Sequence, residues 1–188
     1  MDEFPEVEVQ VQVNDRVVDL VDEGIDLAIR IAHLKDSSLI ARRLASNHRY
    51  LVATPEYLAQ NGTPTCLEDL SKHRLITWPP GHPLNNWHFQ INGQEKTIKV
   101  KGAIAVNDGN GILTALLAGG GLGMTQEYVA GRYVQENNLV PVLAKFVQED
   151  IPIYAVYPSS RHLSPKVRAF VDFLVKTYGP NPYWIAGS

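Results

Sequence analysis

The stretch that most constrains this protein is residues 104–124, where an apolar strand end leads into a capped helix and then into a second apolar run. Ile104 and Val106 precede Asp108, and aspartate is a strongly preferred residue at helix N-caps. A run rich in alanine and leucine follows and ends at Gly119-Gly120-Gly121. The pattern predicts a short helix that begins just beyond the end of a strand.

The start of this predicted helix favours a site that binds a ligand over a site that catalyses a reaction. Its first backbone N–H groups lack partners within the helix, and together with the positive end of the helix dipole they suit a small polar or anionic ligand. Asn107 and Asp108 are candidates for contacting such a ligand, although plain helix capping explains them as well. The stretch contains no nucleophile and no cluster of metal ligands.

The remaining catalytic and cofactor motifs are also missing from the sequence. The glycine run closes a helix before a strand, whereas a dinucleotide-binding fingerprint opens a helix after a strand. The six histidines show no metal-site spacing, Cys66 is the single cysteine, and no serine lies in a nucleophile elbow. We therefore expect no enzyme activity, no catalytic residue, no metal and no cofactor.

Charge and hydropathy exclude two further classes of protein. The net charge is −3 and the lysines and arginines are scattered, whereas duplex DNA binding requires a basic face. No apolar run approaches the length of a membrane span, and the acidic first residues carry no secretory signal. We expect a soluble, cytoplasmic protein that does not itself bind DNA or a membrane.

The amino-terminal part of the chain predicts a strand, a helix and a second strand. Residues 6–13 alternate between apolar and polar side chains, and residues 16–23 have helical spacing up to Gly24. Residues 25–31 are almost continuously apolar, which is typical of a strand covered on both faces of a parallel sheet. This order predicts a βαβ unit.

Arg30 and Ile31 close this predicted strand at its carboxyl end, where α/β sheets place ligands. An arginine there is either a clamp for a ligand carboxylate or an ion-pair partner for a nearby aspartate. We favour the clamp, because the guanidinium group suits bidentate recognition of carboxylates.

Local turn and capping motifs predict further elements. Asn92-Gly93 between residues 87–91 and 96–100 is a strong hairpin signal, and we expect the loop to include Gln94 and Glu95 as well. Thr65 and Glu68 have the spacing of a capping box. The longest predicted helix starts at Ser164-Pro165 and continues to about Tyr178.

Several runs in this order resemble the effector-binding domain of LysR-type transcriptional regulators, from about Phe4 to Tyr178. The ordered succession is more specific than any single motif. The runs are Asp26–Arg30, Asp36–Leu44, Tyr50–Leu58, Asn107–Gly109, Ala118–Gly119 with Gly121–Gly123, Tyr154–Pro158 and Arg161–Phe173.

This resemblance implies an α/β fold of the type 2 periplasmic-binding-protein kind, with two α/β lobes joined by two crossing strands. The lobes would be residues 1–48 plus 153–188 and residues 49–152, and the effector would lie in the cleft between them. Trp78 would be either an aromatic wall of the cleft or a core residue, and Thr125 would face the same edge. The expected effector-binding residues are Arg30, Ile31, Trp78, Asn107, Asp108 and Thr125.

The function implied by the resemblance is that of a sensor. It would bind a small-molecule effector and form a homo-oligomer, a dimer or tetramer, to control transcription. The alternative is a free-standing solute-binding protein of a transport system, which requires an export signal. The winged helix-turn-helix of the family has no counterpart here, nor do the first strand and helix of lobe I, so we expect an amino-terminally truncated form that contacts DNA only through a missing domain.

Overall fold

A computed structural model describes residues 7–13, 18–34, 37–147, 150–159, 164–179, 182, 184 and 185. The chain divides into two compact units. Unit 1 comprises Met1–Ala45 and Pro152–Pro180, and unit 2 comprises Ser46–Ile151 and Asn181–Ser188. The chain therefore passes from one unit to the other after residues 45, 151 and 180.

The described residues form β-strands in both units. The strands are β1 (Ala28–Ile31), β2 (Leu39–Ala45), β3 (Arg49–Ala53), β4 (Leu75–Thr77), β5 (Asn86–Ile91), β6 (Gln94–Lys99), β7 (Ile104–Ala105), β8 (Leu122–Gln126), β9 (Val140–Pro141) and β10 (Ile153–Pro158).

Three of the described α-helices begin where the sequence supplies a capping side chain or a proline. The Thr54 side chain accepts a hydrogen bond from the Tyr57 N–H, and Asp108 accepts one from the Gly111 N–H. None of the helices among the described residues is long and apolar enough to cross a membrane. The helices are α1 (Pro55–Asn61), α2 (Gly109–Leu117), α3 (Glu127–Gln135) and α4 (Pro165–Tyr178).

Unit 1 contains a three-stranded sheet in the order β1-β10-β2, and both pairings are antiparallel. Helix α4 packs beside β2 and buries Val167, Val171 and Leu174 on one face. These three residues recur at helical spacing, so the predicted amphipathic helix is confirmed.

The predicted βαβ unit is wrong in the described residues. Residues 7–13 form no strand there, and Val11 and Val13 are 75% and 92% exposed. An alternating pattern does not make a strand unless a neighbour pairs its backbone groups, and no described strand pairs with this run. Arg16 lies outside the described residues, and residues 20–24 form only a turn, in which the Glu23 N–H donates to the Asp19 carbonyl.

The predicted parallel strand at residues 25–31 is also wrong. Its regular part, β1, is antiparallel to β10 and lies at the sheet edge, where Ile29 is 46% exposed. A short apolar run shows that a segment is partly buried, but it does not report the direction of the neighbouring strand, which comes from far along the chain.

Unit 2 contains a five-stranded sheet in the order β7-β4-β8-β3-β9. Strand β4 is parallel to β7 and β8, whereas β3 is antiparallel to β8 and β9. Successive residues of β3 face opposite sides: Leu51 belongs to a core cluster with Trp87 and Phe89, and Val52 to a second cluster with Leu116. The β5–β6 hairpin covers one face of the sheet, and α2 and α3 cover the other.

Two local predictions for unit 2 need small corrections. The hairpin loop is only Asn92-Gly93, because Ile91 pairs with Gln94, and both loop residues have the positive φ that a two-residue turn of matching twist requires. The capping box is displaced by one residue: the Asp69 carboxylate, not Glu68, accepts hydrogen bonds from the Thr65 and Cys66 N–H groups.

Candidate functional site

One edge of the unit 2 sheet collects the ends of several strands and the starts of two helices. Strands β4, β7 and β8 are parallel, so their carboxyl ends share this edge, and the antiparallel β3 begins there. Helix α2 follows β7 and helix α3 follows β8, so both helices begin at the same edge. We call it the carboxyl edge.

Strand register places four side chains side by side at the carboxyl edge. Tyr50 pairs with Thr125. The pairing of Ile76 with Gly123 brings Trp78 beside Thr125, and the Val106 N–H donates to the carbonyl of residue 77, which brings Val106 beside Trp78. Adjacent strands lie about 4.8 Å apart, so this edge row of Tyr50, Thr125, Trp78 and Val106 extends over about 14 Å.

The edge row lies on the sheet face that α2 and α3 cover. Tyr50, Trp78 and Val106 all pack against the core cluster that contains Leu116 of α2. Trp78 is therefore partly a core residue, as the second alternative for it predicted, and its contact with a ligand stays a prediction.

Thr125 carries a hydroxyl group that the protein does not use. The residue is 7% exposed, and its backbone groups are paired within the sheet. Its side-chain oxygen has no hydrogen-bond partner among the described residues. The oxygen is not one of the fully buried side-chain atoms without a partner, so solvent reaches it and a ligand can form a hydrogen bond with it.

The N-terminus of α2 also has unused hydrogen-bond donors. The Asp108 carboxylate accepts from the Gly111 N–H at 2.7 Å, and the Ile112 N–H donates to the Asp108 carbonyl. The N–H groups of Gly109 and Asn110 have no acceptor within the described part of the chain. The predicted capping role of Asp108 is confirmed, and ligand contacts by Asn107 and Asp108 stay predictions.

The first N–H groups of α3 are satisfied by the protein itself, because the Glu127 N–H donates to the His48 carbonyl and the Tyr128 N–H donates to Asn47 Oδ1. The Glu127 carboxylate bonds to residues outside the helix. Glu127 is 5% exposed. The Tyr50 hydroxyl donates to Glu127 Oε1 at 2.6 Å, and His48 Nδ1 lies 3.0 Å from Oε2. Burial, followed by the hydrogen bond and the charge of Glu127, raises the pKa of Tyr50 well above its usual value.

This cluster of His48, Tyr50 and Glu127 was not predicted from the sequence. Its only local signal is an acidic residue in the first turn of a helix, which is a common arrangement. The partners lie 77 and 79 residues away along the chain, so only the register of β3 and β8 brings them together.

The Asn85 side chain fixes the backbone of Trp78 and Pro79 by hydrogen bonds. It is 5% exposed, its side-chain oxygen accepts from the Trp78 N–H at 3.0 Å, and its amide nitrogen donates to the carbonyls of Trp78 and Pro79. The His82 ring stacks on the indole with centroids 4.5 Å apart. The loop thus fixes an aromatic pair at the carboxyl edge, and sequence reasoning had singled out only Trp78.

Arg30 and Ile31 belong to unit 1. Arg30 Nη2 donates to the Val18 carbonyl at 2.9 Å, and no carboxylate in the described ranges forms an ion pair with it. The ion-pair alternative for Arg30 therefore has no support there. Ile31 pairs with Ile153 in an antiparallel ladder, so the predicted position at the end of a parallel strand is wrong. Ligand contacts by both residues stay predictions.

The chemistry available at the carboxyl edge is that of binding. It combines two amide donors, one hydroxyl group, an aromatic pair and two carboxylates, those of Asp108 and Glu127. Among the described residues, no group of three or more histidine, cysteine, aspartate or glutamate side chains is arranged to hold a metal ion.

Comparison with known proteins gives consistent matches along the chain. The family model described as "LysR substrate binding domain" matches residues 1–179. The chain is 38% identical to the HTH-type transcriptional regulator DmlR of Escherichia coli over 91% of this chain and 56% of that protein. It is 33% identical to an HTH-type transcriptional repressor of Pseudomonas aeruginosa over 95% of this chain and 57% of that protein.

Solved structures agree with these matches. The regulatory domain of CrgA, a LysR-type transcriptional regulator from Neisseria meningitidis, has a TM-score of 0.84 at 28% identity, covering 93% of this chain and 86% of that chain. A longer CrgA structure has a TM-score of 0.87, covering 95% of this chain but 60% of that chain. The chain thus spans somewhat more than half the length of the curated relatives named above.

Proposed function

This chain belongs to the LysR substrate-binding domain family, and from that premise we propose that it is the ligand-sensing and oligomerisation part of a LysR-type transcriptional regulator. A small-molecule effector bound by this part would control transcription. The expected fold class, α/β and of the type 2 periplasmic-binding-protein kind, is confirmed by the similarity to LysR regulatory domains. The family match favours regulation over the alternative, a transport solute-binding protein.

The effector is bound at the carboxyl edge of unit 2, between the N-terminus of α2 and the edge row. The observation that carries this assignment is the unpartnered, solvent-accessible hydroxyl of Thr125, at an edge where Gly109 and Asn110 also have unused N–H groups. Each of these donors can satisfy a carbonyl or carboxylate oxygen of a ligand. The proposed effector contacts remain Arg30, Ile31, Trp78, Asn107, Asp108 and Thr125.

The charges at this edge limit the ligands that it accepts. Asp108 carries a carboxylate at the start of α2, and Glu127 places a second one at the start of α3. A ligand with only negative charge is repelled by both groups, whereas a ligand that pairs an acceptor with a hydroxyl or amine donor can contact the amides and Asp108 together. Hydroxy acids and amino acids have this combination.

A thermal-shift screen of the whole chain with small carboxylates, hydroxy acids, amino acids and aromatic acids tests the proposed function. A ligand present at one hundred times its Kd stabilises the folded state by about 2.7 kcal/mol. We expect at least one compound to raise the Tm by several degrees, since about 1 kcal/mol corresponds to roughly 2–4 °C for a chain of this size.

Thr125→Val separates ligand binding from stability. Because the hydroxyl has no protein partner, the variant keeps or slightly raises the Tm without ligand but loses the ligand-induced rise. Thr97→Val, an exposed change in β6, keeps that rise. A folded protein that responds to no compound class, or an unchanged response in Thr125→Val, would contradict the proposal.

The remaining roles in the proposal follow from the family. We assign no catalytic activity, because the family is one of transcriptional regulators and not of enzymes. Further copies of the chain are its oligomer partners, and DNA is contacted through a helix-turn-helix domain outside this chain. Control of chromosomal transcription places the protein in the cytoplasm.

A further inference from the structure

Residues 182, 184 and 185 belong to unit 2, although the α4 helix that precedes them belongs to unit 1. Pro182 and Trp184 are almost completely buried, and the Ile185 N–H donates to the Pro182 carbonyl at 2.9 Å, which closes a turn. The Trp184 ring contacts Tyr128 of α3 edge to face, with centroids 6.3 Å apart. We call Pro182, Trp184 and Ile185 the Trp184 segment.

Helix α3 has a notch at Gly131, a position without a side chain, and the Trp184 segment lies against it. Gly131 lies inside the helix, where alanine is the better helix former. A Cβ atom built on Gly131 would lie 2.5 Å from the Trp184 carbonyl oxygen, so only glycine allows this approach. The helix therefore lacks a side chain at a point where the segment's backbone closely approaches it.

The first turn of α3 also binds residues 47 and 48, which follow the first change of unit, and these in turn bind residues 150 and 151 before the second change. The Tyr128 N–H donates to Asn47 Oδ1, and the Glu127 N–H donates to the His48 carbonyl. Asn47 is in turn bonded to Asp150 through its own N–H and to the Ile151 N–H through its carbonyl. The Trp184 segment and residues 47–48 thus both contact the first turn of α3, and residues 150–151 are linked to that turn through Asn47.

We infer that α3 is a docking site for the Trp184 segment, and that the docked segment holds the first turn of α3 and with it the Glu127–Tyr50 hydrogen bond. Tyr50 is part of the edge row, so release of the segment loosens one wall of the proposed effector site. Docking itself does not depend on the proposed function, whereas its effect on effector binding does.

Gly131→Ala tests docking, because the urea midpoint changes in one direction if the segment is docked and in the other direction if it is not. With the segment docked, the added methyl group displaces it, and the urea midpoint of the whole chain falls. Without docking, the midpoint rises, as it does for ordinary Gly→Ala changes in helices. Gly109→Ala in α2, where a Cβ atom meets nothing within 4 Å, is the matched control that does not fall.

Fluorine NMR of the chain labelled with 5-fluorotryptophan shows where the change acts. The three tryptophans give three signals, and Trp184→Phe identifies the one from Trp184. We expect Gly131→Ala to shift the Trp184 signal towards that of unfolded protein and to leave the core Trp87 signal in place. An unmoved Trp184 signal together with a raised midpoint would overturn the inference.

Hydrogen exchange tests the connection to Tyr50 without any ligand. Tyr128→Ala removes the ring contact with Trp184, so it serves as a second variant that requires no change of helix glycine. In both variants the amides of residues 46–50 and of the first turn of α3 exchange faster than in Gly109→Ala. Faster exchange confined to residues 129–135 would show only local packing and contradict the inferred connection. A failed ligand screen would leave these results unaffected.

Discussion

Helices α2 and α3 begin at the same sheet edge after parallel strands, yet their N-termini are satisfied in different ways. At α3, the Glu127 and Tyr128 N–H groups donate to the His48 carbonyl and Asn47 Oδ1, and Tyr50 and His48 hold the buried Glu127 carboxylate. At α2, Asp108 is exposed and caps only the Gly111 N–H, and two other amides are left without acceptors in the described structure. One helix start serves stability, and the other is available to a ligand.

The difference shows that a helix N-terminus indicates a binding site only when no group from a distant part of the chain accepts hydrogen bonds from its N–H groups. Both helices place an acidic residue at or next to the first turn, so the local sequence does not separate them. Burial separates them, because a carboxylate inside the protein must be hydrogen-bonded whereas an exposed one is solvated. The comparison therefore predicts unequal effects of mutations at the two helix starts.

Glu127→Ala is expected to have the largest effect. It leaves the Tyr50 hydroxyl and the His48 ring without their acceptor, and we expect the free energy of unfolding to fall by about 3 kcal/mol. Urea denaturation measures this loss. Glu136→Ala, at the exposed far end of α3, is the control and costs well under 1 kcal/mol. Similar losses in the two variants would show that the α3 start is not specially stabilised.

Tyr50→Phe is expected to cost about 2 kcal/mol at neutral pH, because it removes a hydrogen bond to a charged group. The pKa of Tyr50 is raised in the folded state, so its contribution is complete below the unfolded value of about 10 and is lost as the pH rises further. Urea midpoints of the protein and the variant should therefore converge above about pH 10. A constant difference across that range would contradict the Glu127 contact.

Asp108→Ala is expected to cost about 1 kcal/mol, the usual value for loss of a helix N-cap. The expected loss is smaller than that for Glu127 because Asp108 is exposed and water replaces its contacts. Thermal denaturation of both alanine variants in one buffer tests this order. A larger loss of stability in Asp108→Ala than in Glu127→Ala would contradict the proposed difference between the two helix starts.

Asp108→Asn is expected to change stability least, by a few tenths of a kcal/mol, because asparagine caps helices about as well as aspartate. It removes the negative charge next to the free amides, so a carboxylate without a donor group should give a larger Tm rise than in the unchanged protein. An amino acid should give a smaller rise, because its ammonium group loses the charge of Asp108. Equal rises in the two proteins for both compounds would contradict a role of the Asp108 charge.

Local chemistry was enough to predict several parts of this structure. The Asp108 cap, the Asn92-Gly93 turn and the amphipathic α4 all depend on residues close together in sequence. The ordered motifs also indicated the family and therefore the fold class, although no single motif is specific.

Long-range pairing decides the features that were wrong or missed. The direction of β1 depends on β10, more than one hundred residues later, and an apolar run carries no information about it. The Glu127 cluster and the Gly131 notch likewise depend on partners far along the chain. Within the candidate site, Thr125 was singled out by its position after the glycine run, but its unpartnered hydroxyl appears only in three dimensions.

Backbone amide NMR of the protein with the compound that most raises its Tm tests the binding role of the α2 start most directly. We predict saturable shifts of the Gly109, Asn110 and Thr125 amide signals, while the Glu127 amide, which donates to the His48 carbonyl, moves little. A compound that stabilises the protein while the Gly109 and Asn110 signals stay unchanged would contradict that role.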